Sequence, residues 1–342
     1  MKAMILAGGL STRLYPLTKQ VPKPLVPVAG VPNAVHLIHY LKSYGYDEIA
    51  INVHYLADAI VQTLGDGSAF GVRLEYLHEE VLMGSAGAVK PMQRFFGDEN
   101  FVVVGCDDLT DLPIDRLMAM HEEKRAVATI GLVVRPKVDQ YGVVVVDGDG
   151  RITGFQEKPA PGTERSKLVN TGIYAFSPEI FDRIPGNEFY DFGKQVFPEL
   201  LEGGKPFYGF DARDAYWCDI GTPDEYRRAS ADVVNGLFSV PGTRANGADP
   251  SANIDASAQI DSNVWIGARA NIAANVRITG PSVVGEDVRV ESGAVLQASI
   301  IWEGSTIGEN ATLRDTIVGM SYEVPASTSL TDAVVANEEV AI

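Results

Sequence analysis

The chain has 342 residues, 46% of them hydrophobic and 21% charged, with a formal net charge of −17. A chain of this length exceeds what one hydrophobic core usually organises, so we expect two domains. The acidic balance excludes nucleic acid as the expected partner, because such a partner requires a basic protein face. An anionic substrate would therefore have to be held by a few local cations and a metal ion.

The two cysteines, Cys106 and Cys218, cannot form a disulfide scaffold, and this usage is typical of the reducing cytosol. The first residues enter an apolar run at once, without the basic flank that begins a secretion signal. No apolar run approaches the roughly 18 residues that a membrane helix needs. We expect a cytoplasmic protein that does not contact a membrane.

Residues 1 to about 235 alternate apolar runs with amphipathic stretches. The amphipathic stretches span residues 35–44 and 56–64, and the runs are rich in β-branched residues, as buried strands require. The runs read MKAMILA, DEIAINV, NFVVVG, AVATIGLVV and GVVVV. This order predicts an α/β fold with a Rossmann-like, mostly parallel sheet and helices on both faces. Ligands bind such sheets beyond the carboxyl ends of the strands.

The first run ends in a glycine loop that suits a nucleoside triphosphate. Gly8 and Gly9 carry no Cβ, so backbone N–H groups can approach phosphate oxygens closely. Arg13 can grip two phosphate oxygens with its planar fork, and Lys23 adds a compact charge. The spacing matches neither of the two common glycine motifs for nucleotides. The predicted triphosphate cradle comprises Leu6, Ala7, Gly8, Gly9, Arg13 and Lys23.

Two later segments carry carboxylates that could bind a metal ion. VVVGCDDLTDL, residues 102–112, ends a strand at Asp107 and Asp108, where Mg²⁺ can be held together with waters and phosphates. Taken alone, such a pair is more often a turn or a cap than a metal site. YWCDIGTPDEY, residues 216–226, carries Asp219, and its Thr222 and Pro223 also make a good helix start.

The last hundred residues follow a six-residue period. After the linker PGTRANGADPSA, aliphatic residues recur every six positions to residue 296, and after a slip of one position the period continues. The ladder comprises Ile254, Ile260, Ile266, Ile272, Ile278, Val284, Val290, Leu296, Ile301, Ile307 and Leu313. Each hexad would form one face of a triangular coil with its aliphatic side chain inside. The pattern resembles the hexapeptide repeat of left-handed parallel β-helices, so we predict domains over 1–240 and 241–342.

Taken together, the motifs resemble those of the sugar-1-phosphate nucleotidyltransferases, also called nucleotide-sugar pyrophosphorylases. The resemblance rests on LAGGxxTRLxPLT, PKPLVPVAGVP and WxDIGTP, and on QYGVVVV, GFQEKP and VNTGIYAF in the family's order. Ser11 stands where the family usually has glycine, and Cys106 also occupies a usual glycine position. The family joins a nucleoside triphosphate to a sugar 1-phosphate and releases pyrophosphate, so the resemblance implies an enzyme of this kind.

By the same resemblance, Asp107 and Asp219 would be the ligands of one Mg²⁺ ion. Lys158 would hold the phosphate of the sugar 1-phosphate, and Glu157 would accept hydrogen bonds from the sugar hydroxyls. In isolation, Glu157, Lys158 and Pro159 would instead form a surface turn. The remaining sugar contacts would be Gly142, Asn170 and Thr171. The catalytic cations would be Arg13, Lys23 and Lys158.

The choice of base depends on HEEVLMGSAGA, residues 78–88. In the family this stretch runs along the base with a glycine, here Gly84, against its face. Relatives that use uridine or thymidine triphosphates carry glutamine five residues earlier, where this chain has Glu79. A carboxylate only accepts hydrogen bonds, and guanine offers two adjacent donors whereas uracil and thymine offer one donor flanked by acceptors. We therefore predict GTP, with mannose 1-phosphate as the commonest partner of guanylyltransferases that have a β-helix tail.

Other activities stay open at this point. They are a UTP- or dTTP-dependent glucose-1-phosphate nucleotidyltransferase, a guanylyltransferase for a heptose or cyclitol phosphate, and a non-catalytic regulatory homologue. Hexapeptide acyltransferases use a histidine base, and the five histidines all lie before residue 122, which argues against acetyl transfer by the β-helix. We expect the β-helix to assemble a homo-oligomer. Trp265 and Trp302 would then lie in the interface or pack against the catalytic domain.

Overall fold

A computed structural model describes residues 1–186, 188–239, 244 and 246–337. The chain forms two compact units, the sheet unit (Met1–Gly9 and Leu37–Trp217) and the coil unit (Leu10–His36 and Cys218–Ile342). The predicted domain boundary between residues 240 and 241 lies outside the described residues. Among the described helices, none has the length and apolar character needed to cross a membrane.

The predicted alternation of strands and helices in the first part of the chain is confirmed. The five predicted runs become β1, β4, β6, β8 and β9, and the two amphipathic stretches become α1 and α2. The strands of this part are β1 (Lys2–Leu6), β2 (Pro27–Val28), β3 (Val31–Pro32), β4 (Glu48–Val53), β5 (Arg73–His78), β6 (Phe101–Gly105), β7 (Asp108–Thr110), β8 (Ala128–Val134), β9 (Gly142–Val146), β10 (Ile152–Glu157), β11 (Leu168–Phe176), β12 (Phe207–Asp211) and β13 (Trp217–Asp219). The α-helices are α1 (Asn33–Ser43), α2 (Ala57–Leu64), α3 (Gly84–Val89), α4 (Gln93–Phe96), α5 (Ile114–Glu123), α6 (Phe197–Glu202) and α7 (Pro223–Val234).

The sheet unit is built on one sheet with the order β10-β9-β11-β6-β1-β4-β5. In addition, β8 pairs with β11, and β12 pairs with β8. β1 pairs in parallel with β4 and β6, and β4 pairs in parallel with β5. The carboxyl ends of these four strands therefore lie along one edge of the sheet. The glycine loop after β1, Glu79 after β5 and Asp107 after β6 all follow strands at that edge. β9, β10 and β11, which carry the predicted sugar motifs, pair antiparallel.

Aromatic side chains fill much of the core of the sheet unit. Phe101 on β6 lies 5.4 Å from Phe181 between ring centroids, and Phe176 on β11 lies 4.7 Å from Phe192. All four rings are almost fully buried, which removes a large apolar area from water. This packing anchors β6 and β11, the strands that lead into two of the predicted site motifs.

The coil unit contains the predicted β-helix. Its strands are β14 (Gly247–Ala248), β15 (Asn253–Ile254), β16 (Gln259–Ile260), β17 (Val264–Ile266), β18 (Asn271–Ile272), β19 (Arg277–Thr279), β20 (Ser282–Val284), β21 (Arg289–Val290), β22 (Val295–Gln297), β23 (Ile300–Ile301), β24 (Thr306–Ile307), β25 (Thr312–Arg314), β26 (Ile317–Val318), β27 (Glu323–Val324), β28 (Ser329–Thr331) and β29 (Val334–Val335). They stack in parallel as three sheets, β14-β17-β20-β23-β26-β29, β15-β18-β21-β24-β27 and β16-β19-β22-β25-β28. This is the architecture of the predicted left-handed parallel β-helix.

The register of the coil reproduces the sequence period, including its slip. Ile278 pairs with Leu296, 18 residues along the chain, whereas Val284 pairs with Ile301, 17 residues along. Nearly all the predicted ladder residues are buried in one apolar core, with Ile254 and Ile260 partly buried at its end. The predicted inward stacking of the aliphatic residues is therefore confirmed.

Candidate active site

The glycine loop after β1 is shaped by two polar side chains of the sheet unit. The Ala7 N–H donates to Asn52 Oδ1 at 2.9 Å. A Cβ atom at Gly8 would lie 2.6 Å from Glu79 Oε2 and 2.7 Å from Asn52 Nδ2, both too close for any side chain. A Cβ at Gly9 would meet nothing within 4 Å. Position 8 therefore requires glycine for packing within the protein, and position 9 leaves open space beside the backbone.

Glu79, the predicted base reader, is 9% exposed and is held by hydrogen bonds within the sheet unit. Its Oε2 accepts from Asn52 Nδ2 at 2.6 Å, and its Oε1 accepts from the Met83 N–H at 3.1 Å. Each carboxylate oxygen has two lone pairs, so each still has capacity for a second donor. Asn52 was not predicted as a site residue. The only signal was a polar residue inside the apolar run DEIAINV.

A cavity of about 460 Å³ lies beside this carboxylate. Its lining residues are Leu77, His78, Glu79, Glu80, Val81, Met83, Gly87 and Pro91. Gly84 has a φ of 77°, and a Cβ there would lie 2.5 Å from the Tyr190 carbonyl oxygen. The same oxygen accepts from the N–H groups of Ala86 and Gly87. Gly84 thus lets the chain turn tightly against the segment around Tyr190, which fixes the loop that borders the cavity.

The two aspartates after β6, Asp107 and Asp108, lie in different environments. Asp108 is 3% exposed, its Oδ2 accepts from the Gly105 N–H at 3.1 Å, and its Oδ1 accepts from Trp217 Nε1 at 2.8 Å. Its carboxylate is therefore committed to holding the end of β6. Asp107 is half-buried, and its Oδ1 would be 2.9 Å from a Cβ at Gly105. A larger residue at position 105 would displace the Asp107 carboxylate.

Gly142 and Glu157, two of the predicted sugar contacts, face each other across β9 and β10. A Cβ at Gly142 would lie 3.3 Å from Glu157 Oε2. Glu157 has the accessible area of an exposed residue, yet the protein surrounds its carboxylate enough for burial to raise its pKa. The neighbouring cation of Lys158 opposes this rise and Asp191 adds to it. Lys158 is exposed and has a φ of 45°.

Asn170 and Thr171 lie in an irregular stretch of β11, where the pairing with β8 shifts before Tyr174. Asn170 donates to the Tyr174 hydroxyl at 3.0 Å and accepts from the Gly172 N–H at 2.9 Å. Thr171 is 2% exposed, and its hydroxyl donates to the Gly131 carbonyl at 2.8 Å. The Thr171 hydroxyl is therefore used inside the protein, and a sugar contact there stays a prediction.

Asp191 is a further polar residue of this region that the sequence analysis did not single out. Its Oδ1 accepts from the N–H groups of Gly193 and Lys194, and its Oδ2 accepts from the Ser85 hydroxyl at 2.9 Å. A Cβ at Gly193 would lie 2.8 Å from Glu157 Oε2. Asp191 therefore connects the loop that borders the cavity with the neighbourhood of Glu157.

The coil unit brings together three of the predicted residues, Arg13, Lys23 and Asp219. Lys23 Nζ lies 3.8 Å from Asp219 Oδ1, and one Arg13 guanidinium nitrogen lies 3.9 Å from Asp219 Oδ2. The Lys23 side chain is 10% exposed whereas that of Arg13 is 50% exposed. A Cβ at Gly221 would come within 2.5 Å of Asp219 and 2.8 Å of Arg13, so glycine is required beside this cluster.

Local structure explains how both ends of this cluster are held. Ser11 has a φ of 55° and a ψ of 34°, the left-handed conformation that glycine adopts most easily. Its carbonyl accepts from the Thr18 hydroxyl at 2.7 Å. The predicted helix start after Asp219 is confirmed, since Thr222 caps α7 by accepting from the Glu225 N–H and Pro223 is its first residue.

The two predicted metal ligands are of the donor type that magnesium prefers. Asp107 and Asp219, the predicted ligands, both carry carboxylate oxygens, which Mg²⁺ prefers. Within the described residues, no group of three or more histidine, cysteine, aspartate or glutamate side chains could hold a metal ion by itself. Mg²⁺ is commonly bound through one or two carboxylates plus phosphates and waters. Two carboxylates are the number and type of protein ligand that this mode uses.

Comparison with known proteins covers both parts of the chain. Residues 2–236 match the nucleotidyl transferase family, and residues 270–342 match the GMPPB C-terminal domain. The chain is 38% identical to a UTP–glucose-1-phosphate uridylyltransferase of Synechocystis sp., over 94% of this chain and 88% of that protein. It is 33% identical to a mannose-1-phosphate guanylyltransferase of Mycobacterium tuberculosis, over 86% of this chain and 82% of that protein.

A similarity to a solved structure supports the same grouping. The crystal structure of HddC from Yersinia pseudotuberculosis matches with a TM-score of 0.59 and 27% sequence identity. The match covers 67% of this chain and 97% of the other.

Proposed function

The chain belongs to the sugar-1-phosphate nucleotidyltransferase family, and on that premise we propose that it joins GTP to mannose 1-phosphate. The products would be a nucleoside diphosphate sugar and pyrophosphate. The observation that carries the choice of GTP is the Glu79 carboxylate at the border of the cavity after β5.

The proposed reaction needs no nucleophile from the protein. An oxygen of the sugar phosphate attacks the α-phosphorus of the nucleotide, and the bond from that phosphorus to the departing pyrophosphate breaks. The protein contributes positioning and charge neutralisation. Arg13 would neutralise the pyrophosphate, while Lys23 and Lys158 would hold the two reacting phosphate groups. A Mg²⁺ ion on Asp107 and Asp219 would supply further neutralisation of phosphate charge.

The electrostatics of the coil unit support these roles. Lys23 is nearly buried and lies 3.8 Å from a carboxylate, so its ammonium group is held in place. Arg13 is half exposed, which leaves its guanidinium accessible to an incoming anion. The net charge of −17 makes such local cations necessary for binding an anionic substrate.

The preference for guanine is argued from hydrogen-bond capacity. Glu79 accepts one protein N–H at each carboxylate oxygen and has one lone pair left on each. Those two acceptors suit the adjacent N1–H and amino donors of guanine. Uracil and thymine would set carbonyl oxygens against a buried carboxylate, a mismatch that costs on the order of a few kcal/mol.

A second candidate is the condensation of UTP with glucose 1-phosphate. The hydrogen bonds of Glu79 also allow this alternative, because both of its carboxylate oxygens already accept a hydrogen bond from the protein. In that reading Glu79 shapes the loop and other atoms of the cavity contact the base. The 38% identical relative from Synechocystis carries the name of this activity.

The two candidates are separated by a matrix of nucleoside triphosphates and sugar 1-phosphates, scored by pyrophosphate release with Mg²⁺. We expect the highest kcat/KM with GTP and mannose 1-phosphate. The variant Glu79→Gln should reduce the preference for GTP over UTP by about 10-fold or more, because the amide places a donor toward the base. Glu80→Gln, which changes a neighbouring residue of the same cavity, is the matched control. An unchanged nucleotide ranking in Glu79→Gln would refute the assignment of Glu79.

Two statements about organisation are also proposals. We propose that the β-helix assembles a homo-oligomer, which sedimentation of the full chain would reveal as a mass above 36.8 kDa. We further propose that the boundary between the two domains along the chain lies near residue 240. Limited proteolysis should then cut first in the segment around that residue, and initial cleavage elsewhere would contradict the division.

A further inference from the structure

A hydrogen bond in the coil unit joins the segment that carries Lys23 to the helix that follows Asp219. The Tyr226 hydroxyl donates to the Pro27 carbonyl at 2.6 Å. Tyr226 lies in the first turn of α7, seven residues after Asp219, and Pro27 lies four residues after Lys23. The bond therefore connects the two chain segments whose charged side chains lie 3.8 Å apart.

The β-helix supplies the next member of this chain of contacts. Trp302 Nε1 donates to the Tyr226 hydroxyl oxygen at 2.8 Å, and the two rings meet edge to face at 6.1 Å. Both side chains are almost fully buried, with 2% and 0% exposure. An indole N–H can only donate, so the single phenol proton of Tyr226 is directed to Pro27. Burial raises the pKa of Tyr226, which keeps that proton in place.

A second contact from the β-helix holds the same segment by packing. β2 and β3 form a short hairpin whose turn contains Gly30 with a φ of 73°. A Cβ at Gly30 would lie 2.1 Å from Cη2 of Trp265, so the indole lies directly on the glycine backbone. Trp265 is 8% exposed. Of the two sequence alternatives for the tryptophans, packing against residues of the predicted catalytic domain is the one confirmed.

We propose that Tyr226 and Trp302 are positioning residues, through which the β-helix holds Lys23 and Asp219 in register for nucleotidyl transfer. The inference rests on the proposed function, since it assigns Lys23 and Asp219 to the reaction. It assigns to the β-helix a task inside each protomer in addition to assembly. We call the two hydrogen bonds from Trp302 to Tyr226 and from Tyr226 to Pro27 the relay. Because both bonds are buried and have a fixed direction, they restrict the movement of the segment that carries Lys23 relative to the β-helix.

The relay is tested in the full chain by removing one polar atom at a time. Trp302→Phe deletes the donor to Tyr226, and Tyr226→Phe deletes the hydroxyl while keeping the ring. We expect kcat for pyrophosphate release to fall roughly 10- to 100-fold in each variant, since small misplacements of reacting groups carry such costs. The double variant should lose no more than either single variant, because both changes break the same relay. The values of KM should change less than kcat.

The matched control is Ile307→Val, which removes one buried methylene from the ladder of the same β-helix. It should lower Tm and leave kcat unchanged, because Ile307 packs in the apolar core of the β-helix and is not a member of the relay. A kcat within twofold of wild type in both Trp302→Phe and Tyr226→Phe would overturn the proposal. If Tyr226→Phe does not fold, the more conservative Trp302→Phe decides alone.

Hydrogen exchange of the amides over residues 24–32 gives a readout that does not depend on activity. These amides should exchange faster in Trp302→Phe than in wild type, whereas Ile307→Val should leave them unchanged. Unchanged exchange in Trp302→Phe would also overturn the proposal. If the wild type forms no pyrophosphate from any substrate pair, the proposed function fails. The exchange comparison still decides whether the relay orders the loop.

Discussion

At the residue scale, the Asp219 carboxylate is set between two cations that differ in exposure. Lys23 is nearly buried at 3.8 Å, whereas Arg13 is half exposed at 3.9 Å. Both separations are longer than those of direct hydrogen bonds, so these two contacts are attractions between charges. The Asp219 carboxylate therefore lies within attractive distance of both cations.

We expect Asp219→Asn to lower kcat by roughly 10³-fold while leaving the fold intact. The amide keeps the shape of the side chain but removes the charge that stabilises Lys23 and that, in the proposed function, would bind Mg²⁺. Pyrophosphate release and thermal unfolding measure the two parts of this expectation. The control is Asp224→Asn, which changes a carboxylate on α7 that is 92% exposed. Turnover near the wild-type value in Asp219→Asn would remove Asp219 from the metal site.

The requirement for glycine differs between positions 8 and 11 of the loop after β1. Gly8 is required because Glu79 and Asn52 occupy the space where its Cβ would lie. Ser11 takes the left-handed conformation at a position where the family usually has glycine. A serine there carries a modest cost, and the loop keeps the hydrogen bond from Thr18. The departure from the motif is therefore compatible with an ordered loop.

At the scale of elements, the reliably predicted strands are the ones buried on both faces. β1, β6 and β8 are continuous apolar runs, and their burial requires such a composition. β5, with the sequence RLEYLH, was not predicted as a strand because it lies at the end of the sheet, where only Leu74 is buried and no continuous apolar run is needed. Helix α7 was predicted from its Thr-Pro start. This signal is local because the Thr222 cap bonds to Glu225, only three residues further along the chain.

Helix α5 gives a prediction about pH. Its His121 is 1% exposed, bonds to the Thr129 hydroxyl at 3.0 Å, and has a pKa that burial lowers to about 4. Between pH 6.5 and 4 the unfolded chain therefore binds a proton that the folded chain does not, and folding stability is lost as the pH falls. Relative to His121→Gln, wild type should lose about 2 kcal/mol of unfolding free energy between pH 7.5 and 5.

Urea unfolding of both proteins at the two pH values measures this difference. The comparison with His121→Gln removes the effects of other titrating groups, because both chains share them. A difference in unfolding free energy that stays constant between pH 7.5 and 5 would show that folded His121 titrates normally.

At the scale of the whole molecule, the division into units does not follow the order of the motifs. The glycine loop up to Gly9 belongs to the sheet unit, whereas Arg13 and Lys23, a few residues later, belong to the coil unit. The stretch Leu10–His36 is grouped with Cys218–Ile342, and contacts between the two include Tyr226 with Pro27 and Trp265 with Gly30. The predicted catalytic residues are thus distributed over both units.

Because the aliphatic side chains of the β-helix stack in one continuous core, we expect a single cavity in it to lower the unfolding free energy strongly. Leu313 is 0% exposed and lies in the register of Leu296 and Leu330. Leu313→Ala should lower the unfolding free energy by about 2–5 kcal/mol, because neighbouring coils cannot collapse into the space. Urea unfolding measures the loss, and the exposed neighbour Arg314→Gln should change it by less than about 0.5 kcal/mol. A loss below about 1 kcal/mol in Leu313→Ala would mean that the stack relaxes around the gap.

Sequence alone was sufficient wherever the signal is periodic or contiguous. The six-residue ladder with its slip at Leu296 predicted the β-helix and its change of register, because every coil repeats the same inward position. The motifs at residues 6–23 and 216–226 predicted the family, since each one is a short stretch with a fixed pattern of residues. These signals do not depend on knowing which distant segments meet.

Only the tertiary structure decided the contacts between residues far apart in the chain. Asn52 bonds to Glu79, Trp217 holds Asp108 in place, and Tyr226 bonds to Pro27 across 199 positions. Each of these residues is an ordinary polar or aromatic residue in its own segment, so nothing local marks its role. Hydrogen bonds of buried groups depend on which partner the folded chain brings within about 3 Å, and that is set by packing of whole elements.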